Sequence, residues 1–438
     1  MNNREAAEKI FMAGIRSVLP GKLISGIMRL DGSVLTISGN IFPLDEIRNI
    51  FVIGAGKASA AMGHYVETIL GNRITDGHIV TKYGHSCKLK RITVTEAGHP
   101  IPDSNGLRAT ESIIKISEQA GDNDLVLCLI SGGGSALMSD LPEGLLPEEL
   151  YIVNNLLIRC GAGINEINCV RKHLSKIKGG QLARIIHPAK LITLILSDVV
   201  GNPLEVIASG PTVADPSTFS DALRILNDYN LTSDITTGVL NYLRDGSRGI
   251  HQETPKPGDP LFSGILNILA GTNLTALEAA KNQAVNMGFK TYIIDAELRG
   301  DVENVCESVI STAVAFKDNI EIRKPVCLLY GGETTVKISG EGKGGRNQHL
   351  TLLAAQRLRK TIGITVLSAG TDGTDGPTDA AGAVADAETI FRAVSLNEDP
   401  EKYIYEFNSY VFFKRAGGQI KTGPTFTNVM DLVVVLID

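Results

Sequence analysis

Residues 124–138 read DLVLCLISGGGSALM, and no other stretch constrains the fold as strongly. Leu125–Ile130 is an unbroken apolar run, too short to span a membrane and right for a strand buried on both faces, as in a parallel sheet. Ser131-Gly132-Gly133-Gly134-Ser135 breaks the run before Ala136-Leu137-Met138 resumes in helix-favouring residues. Glycines between a strand and a helix permit positive φ. They also let bare backbone N–H groups approach a ligand at a helix N-terminus, where the dipole favours an anion. A plain βα turn uses the same residues, so this stretch alone does not separate scaffold from binding site.

Four further junctions carry similar chemistry. Ile50–Ile53 reads as a buried strand leading through Gly54-Ala55-Gly56-Lys57 into a helix. That resembles a dinucleotide fingerprint, but Ser59 holds the third glycine position. The next strand, Gly77–Thr81, leads into Lys82 instead of the acidic ribose partner. Lys57 opposes a helix dipole, so it is either a solvated lysine or a positive charge held for phosphate. Leu191–Leu196 is a buried strand ending in Ser197-Asp198, followed by GNPLEVIASGPT with Asn202. An aspartate just past a parallel strand's carboxyl end lies where open α/β sheets bind ligands, so Asp198 is a candidate general base or metal ligand.

In the second half, Val326–Tyr330 precedes Gly331-Gly332-Glu333-Thr334-Thr335, and a glycine-rich loop then brings Arg346-Asn347-Gln348 to a helix over His349–Leu358. Arginine offers a rigid, bidentate fork for phosphate or carboxylate. Thr365–Ser368 leads into a loop with Asp372, Asp375 and Asp379, which looks like a hard-cation loop but lacks the glutamate of an EF-hand. Asn165–Ala183 reads as one helix with Ile167, Val170, Leu174 and Ile177 on a face. Lys172 and Lys176 form an i,i+4 pair elsewhere on it, beside Arg171, His173 and Lys178, either a solvated basic face or a polyanion clamp. His99, between Gly98 and Pro100, reads as a structural loop histidine.

At 438 residues the chain exceeds one comfortable core, so two domains are expected. The Pro-, Gly- and charge-rich stretch 247–264 places the boundary, giving domains 1–246 and 247–438. A net charge of −6 with dispersed lysines and arginines argues against nucleic-acid binding. No apolar run reaches membrane-spanning length, so no membrane association is expected. The N-terminus, an amphipathic helix over 4–18 stopped by Pro20-Gly21, lacks a signal peptide's apolar core. The six cysteines show no C-x-x-C, and Cys128 and Cys327, inside apolar runs, read as small buried hydrophobes of a reducing cytoplasm. Nothing here sets the oligomeric state, and a homo-oligomer is compatible with it.

Cations, backbone amides and carboxylates at strand-to-turn junctions are the parts of a phosphoryl-transfer site. Neither a G-x-x-x-x-G-K-[ST] loop nor a protein-kinase H-R-D or D-F-G set is present. The motifs GAGKAS, AGHPIPD, LISGGGSAL, RKHLSKIKGGQLA, SDVVGNPLEVIASGPT, GGETTV, GGRNQ and AGTDGTDGPTDAAGA, in that order, resemble the glycerate 2-kinase family in its D-glycerate-using branch. The resemblance implies an α/β fold: a Rossmann-like parallel-sheet N-terminal domain and a smaller α/β C-terminal domain, with the active site in the cleft between them. It implies phosphorylation of D-glycerate by ATP at the 2-hydroxyl, with Mg²⁺ or another divalent cation, giving 2-phosphoglycerate. Carried over by position, Lys57, Asp198 and Arg346 are the catalytic residues. Gly54, Gly56, Ser131–Ser135 (including Gly132, Gly133 and Gly134), Lys176, Asn202, Gly332, Glu333, Thr334 and Asn347 are the substrate and nucleotide contacts. From their own acidic loop, Asp372 and Asp375 are the expected metal ligands. His349 stands where the family pattern calls for Glu, which bears on the packing of that helix.

The rival readings are a nicotinamide-dependent hydroxypyruvate reductase and a non-catalytic anion- or sugar-acid-binding protein. Ser59 and the missing acidic partner argue against the first. Hydroxypyruvate with NADH or NADPH should therefore give no turnover comparable with phosphorylation of D-glycerate. A saturable reductase rate of similar size in a spectrophotometric assay would overturn that.

Overall fold

The computed structural model describes residues 2–338 and 340–438. It divides into two compact units, Ile24–Ala270 and Gly271–Asp438 with the residues up to Leu23.

In the first unit, β1 (Met28–Asp31), β2 (Val34–Ile37) and β3 (Asn40–Pro43) form a small antiparallel sheet. The main sheet comprises β4 (Ile50–Ala55), β5 (Asp76–Lys82), β6 (Thr93–Ala97), β7 (Leu125–Ser131), β8 (Lys190–Leu196) and β9 (Ile265–Gly271). Their order is β6-β5-β4-β7-β8-β9, with β4 to β8 parallel throughout. Every residue of β4 and β7 is buried, which is why both read as continuous apolar runs. The chain runs outward from β4 to β6 and then returns to lay β7 on the other side of β4. That reversal opens a crevice at the carboxyl ends of β4 and β7, the ligand position in doubly wound sheets.

The expected boundary at 246/247 differs from the observed one, because Ile265–Gly271 joins the first sheet and carries residues 247–270 into the first unit. The helix Asn3–Ser17 belongs to the other unit. Its buried face of Ala6, Ala7, Ile10, Phe11 and Ile15 packs on the helix Asn273–Asn286. Gly14 lets the two backbones close up, since a Cβ there would lie 3.1 Å from the Ala276 carbonyl. Arg4 reinforces this attachment with two hydrogen bonds to Asp386, at 2.5 and 2.7 Å. Pro20 starts a second helix, Pro20–Ile27, as the first position of a helix tolerates. No single helix among the described residues is long and apolar enough to cross a membrane.

The second unit holds β10 (Lys290–Asp301), β11 (Val326–Thr335), β12 (Ile364–Gly370), β13 (Gly382–Asp386), β14 (Gln419–Ile420) and β15 (Asp431–Ile437). The order is β10-β11-β15-β12-β13-β14, with only β10 and β11 running parallel among neighbours. The fully buried β15 lies between β11 and β12 and antiparallel to both. The carboxyl ends of β11 and β12 therefore meet its first residue: Gly332 and Gly370 are both in register with Asp431.

The single helix expected over Asn165–Ala183 is two, Ile164–His173 and Gln181–Ile186. Gly179 and Gly180, at φ of 60° and 81°, turn the chain between them. The lysine pair therefore never lines up on one face. Lys172 is buried 3.2 Å from Asp215, and Lys178 is buried 3.7 Å from Asp140 while donating to the Met138 carbonyl. Lys176 alone of the three is exposed. The expected basic face is thus largely a set of interior ion pairs.

His173 belongs to that interior set. Its Nδ1 lies 2.7 Å from the Cys169 carbonyl and its Nε2 lies 2.9 Å from Glu253 Oε1. Both ring nitrogens face acceptors, so both carry protons and the ring is a cation. Burial works against that charge, but the Cys169 carbonyl and Glu253 raise the pKa to about 9. Glu253 is held near 2 against its own burial by His173 and the Phe219 N–H. A raised histidine stabilises the fold fully below its unfolded value of about 6.5 and loses that contribution as pH climbs through about 9. Urea denaturation should show unfolding free energy falling across this window, with the slope flattened in His173→Gln. Identical pH profiles for the two proteins would refute the charged histidine.

Candidate functional site

The crevice at the sheet reversal is walled by two glycine turns fastened to each other. Gly56 N donates to the Val80 carbonyl (3.1 Å), Lys57 N to the Gly132 carbonyl (2.9 Å), Ala58 N to Ser131 Oγ (3.0 Å) and Ser59 N to the Gly56 carbonyl (3.2 Å). The N–H groups of Gly56, Lys57, Ala58 and Ser59, leading into the helix Ser59–Leu70, are thereby satisfied within the protein, and these four are not offered to a pyrophosphate. The G-A-G-K turn is scaffold in its backbone, and Gly54, Gly56 and Ser131 belong to that scaffold. Ser131 is 2% exposed, its hydroxyl 3.0 Å from that of Ser59.

Two glycines of the second turn are required by what lies against them. A Cβ on Gly132 would sit 1.9 Å from Asp198 Oδ2, and one on Gly133 (φ 82°) would sit 2.7 Å from the His99 ring. The Asp198 carboxylate from the end of β8 therefore presses on the same turn whose carbonyl holds the Lys57 backbone. Lys57, half-buried, is near enough to His99 to act on it: burial first, then the charges of Lys57 and Lys82, lower the His99 pKa to about 4. His99 is thus a neutral ring lying against the glycine turn, and more than a loop residue.

Ser135 Oγ lies 2.8 Å from Ser209 Oγ, which donates to Asn168 Oδ1 at 3.0 Å. Ala208 and Ser209 hold left-handed backbone at φ of 50° and 61°, beside Gly134. Strain of that kind, about 1–3 kcal/mol per residue, persists where the surroundings over-determine it and concentrates at functional sites. Asn202, also left-handed at φ 52°, lies on the turn after Asp198, with its N–H on the Val199 carbonyl. Lys176 is exposed on the segment between the two short helices, its backbone N–H on Asp140.

In the second unit the candidates gather around the start of β15. Arg346 donates from Nε and Nη2 to Asp431 at 2.6 and 3.1 Å, and from Nη1 to Glu333 at 2.5 Å. Burial opposes the guanidinium's charge, but Asp431 and Glu333 outweigh it and raise its pKa. Sequence reasoning missed Asp431, a lone carboxylate heading the apolar run DLVVVLI and 5% exposed. Gly332 (φ 148°) lies flush on the Leu298 carbonyl, and Thr334 is buried beside it. His349 is buried against Phe407, ring centroids 4.4 Å apart, and burial lowers its pKa to about 4.

Asp375 does not fit a metal. Its Oδ1 accepts from Asn347 N and Nδ2 (3.0 and 3.3 Å), and its Oδ2 from Gln348 N and Nε2 (2.8 and 3.0 Å). It caps the helix Arg346–Leu358, whose own Gly345 has no side chain to do so. Burial raises its pKa to about 6, with those N–H donors opposing. Asn347 is held by the same arrangement: 3% exposed, it gives one Nδ2–H to Asp375 and accepts from Ser368 Oγ at 2.6 Å, so it positions the loop. Asp372 is half-buried, with Oδ1 taken by Thr374 N and Oγ1. Among the described residues no three His, Cys, Asp or Glu side chains gather as a metal site.

Residues 6–244 match the family described as a domain of unknown function, DUF4147, and residues 326–431 match the MOFRL family. The glycerate 2-kinase of Pyrococcus horikoshii is 40% identical over 100% of this chain and 98% of its own length. A protein of Agrobacterium vitis, provisionally named a hydroxypyruvate reductase, is 40% identical over 88% of this chain and 86% of its own. The crystal structure of a glycerate kinase from Thermotoga maritima superposes with a TM-score of 0.89 at 37% identity, covering 99% of both chains. With both halves matched in order and the fold shared from end to end, the chain belongs to the glycerate 2-kinase family.

Proposed function

We propose that this protein transfers the γ-phosphoryl group of ATP to the 2-hydroxyl of D-glycerate, releasing ADP and 2-phosphoglycerate. The observation that carries the reading is the corner at the sheet reversal. There the Lys57 turn, the bare Gly132–Gly134 turn and the Asp198 carboxylate are fastened together in a chain similar throughout to glycerate kinases. Asp198 accepts the proton of the 2-hydroxyl as its oxygen bonds to phosphorus and the bond to the ADP oxygen breaks. The Lys57 ammonium meets the negative charge of the transferring group. Arg346 has two N–H bonds beyond the three given to Asp431 and Glu333, and its part is to offer them to an anionic group of a substrate. Magnesium enters as part of the Mg-nucleotide substrate, its positive charge offsetting that of the phosphates. The cytoplasm is the proposed compartment.

The reductase alternative loses its main support in the G-A-G-K turn, whose N–H groups are already bonded within the protein.

Phosphorus NMR of a reaction with D-glycerate and Mg-ATP should show 2-phosphoglycerate. Exclusive formation of the 3-isomer would place the chemistry elsewhere. Asp198→Asn is nearly isosteric against Gly132 and should fold normally while kcat drops roughly 100-fold, the scale of lost general-base assistance.

Lys57→Met should leave the melting temperature unchanged or slightly higher, since a cation at a helix N-terminus is unfavourable. It should lower kcat/KM by at least about 100-fold. Retained turnover with a lower melting temperature would make Lys57 structural.

A further inference from the structure

Beside the Gly133–Ser135 turn the first unit carries an open-mouthed cavity of about 660 Å³. Its walls are largely apolar, with Ile101, Leu150, Tyr151, Ile158 and Leu174 among them, and His99, Gly133 and Ser135 also line it. It is lined by residues of this unit alone. D-glycerate is a small polar acid with no apolar surface to match such a wall, and the volume is that of a site for a cofactor-sized ligand, roughly 300–1,000 Å³.

The wall also carries charged groups, Arg171 and Lys178 with Asp103, Asp140 and Glu148. Arg171 lines it, donating through Nε to Asn154 Oδ1 at 2.6 Å, and forms no ion pair among the described residues. Lys178, also on the wall, is matched by Asp140. Asp140 is spent on Lys178, so the half-buried Arg171 guanidinium keeps N–H groups that an anionic ligand can take. Tyr151, 48% exposed on the helix Pro147–Arg159, offers a ring face for stacking.

We propose that this cavity is the nucleotide site of the phosphoryl donor. The base lies among the apolar side chains and on Tyr151. The phosphates run toward Gly133 and Ser135, and Arg171 takes up phosphate charge. This rests on the kinase reading above and assigns to this cavity the donor in place of the acceptor.

The test titrates the full-length protein with fluorescent mant-ADP and measures KM for ATP and for D-glycerate separately. Arg171→Met and Tyr151→Ala should each weaken mant-ADP binding and raise KM for ATP about tenfold or more, with KM for D-glycerate within about twofold. Arg171→Lys, which keeps the charge but loses the fork, should fall between and serves if the Met variant does not fold. A rise in KM for D-glycerate with mant-ADP binding intact would hand the cavity to the acceptor and overturn the proposal, as would no change in either. A wild-type protein that binds mant-ADP through Arg171 yet phosphorylates no glycerate would sustain the nucleotide site and sink the kinase reading instead.

Discussion

The hydrogen bond from Lys57 N to the Gly132 carbonyl, with its neighbour from Ala58 N to Ser131 Oγ, is the contact on which the first unit's chemistry depends. β4 and β7 are adjacent only because the chain reverses direction across the sheet between them. Once they are side by side, their turns must share a space that two Cβ-bearing loops could not. A Cβ on Gly56 would lie 2.1 Å from Ser131 Oγ, just as one on Gly132 would strike Asp198. The glycines therefore serve loop-to-loop contact as much as ligand contact. That contact brings a lysine, a carboxylate and a neutral imidazole to one corner without any of them sitting on a flexible loop tip.

The second unit solves a similar problem with charge. Its candidate residues meet where β11 and β12 deliver their carboxyl ends to the first residue of β15. Asp431 fixes the Arg346 fork from one side and Glu333 from the other. Asp375 holds the start of the same helix through the N–H groups of Asn347 and Gln348. A long, mobile cation is thus set in one rotamer by groups that are themselves held by strands, the kind of support that keeps a site from being loose. Asp375 and Asn347 thereby fix the first turn of the helix that carries Arg346.

Much of this was legible in the sequence because buried parallel strands leave long apolar runs and their ends leave glycine next to charge. The strands around Ile53, Leu129 and Leu194, and the junction residues Lys57 and Asp198, lie where those patterns put them. What escaped was decided by tertiary partners. Periodicity shows that the N-terminal helix has an apolar face but not that the face covers the helix Asn273–Asn286. The stretch Asn165–Ala183 has helical spacing throughout, yet Asp140, Asp215 and Glu253 draw Lys178, Lys172 and His173 inward, and two glycines turn the chain between them. Asp375 looked like a cation ligand because an acidic glycine-rich loop is the same whether its oxygens meet a metal or four N–H donors. Asp431 carried almost no signal, since one carboxylate before an apolar strand is also an ordinary strand start.

The contact between the two turns also decides which groups of the Lys57 turn remain for a ligand. In a dinucleotide-binding fold the turn after the first strand offers backbone N–H groups to phosphate, and its side chains are incidental. Here Gly56, Lys57, Ala58 and Ser59 have all given their N–H groups to the protein. In the proposed reaction the anion is therefore met by the turn's one charged side chain and not by these four N–H groups. A backbone cradle is blind to what bears the phosphate, whereas an ammonium on a flexible stem, as proposed for Lys57, is able to follow a phosphoryl group as it moves between two oxygens. On the proposed reading, the same strand-turn-helix architecture serves a phosphoryl group in transfer where a dinucleotide fold holds a pyrophosphate in place.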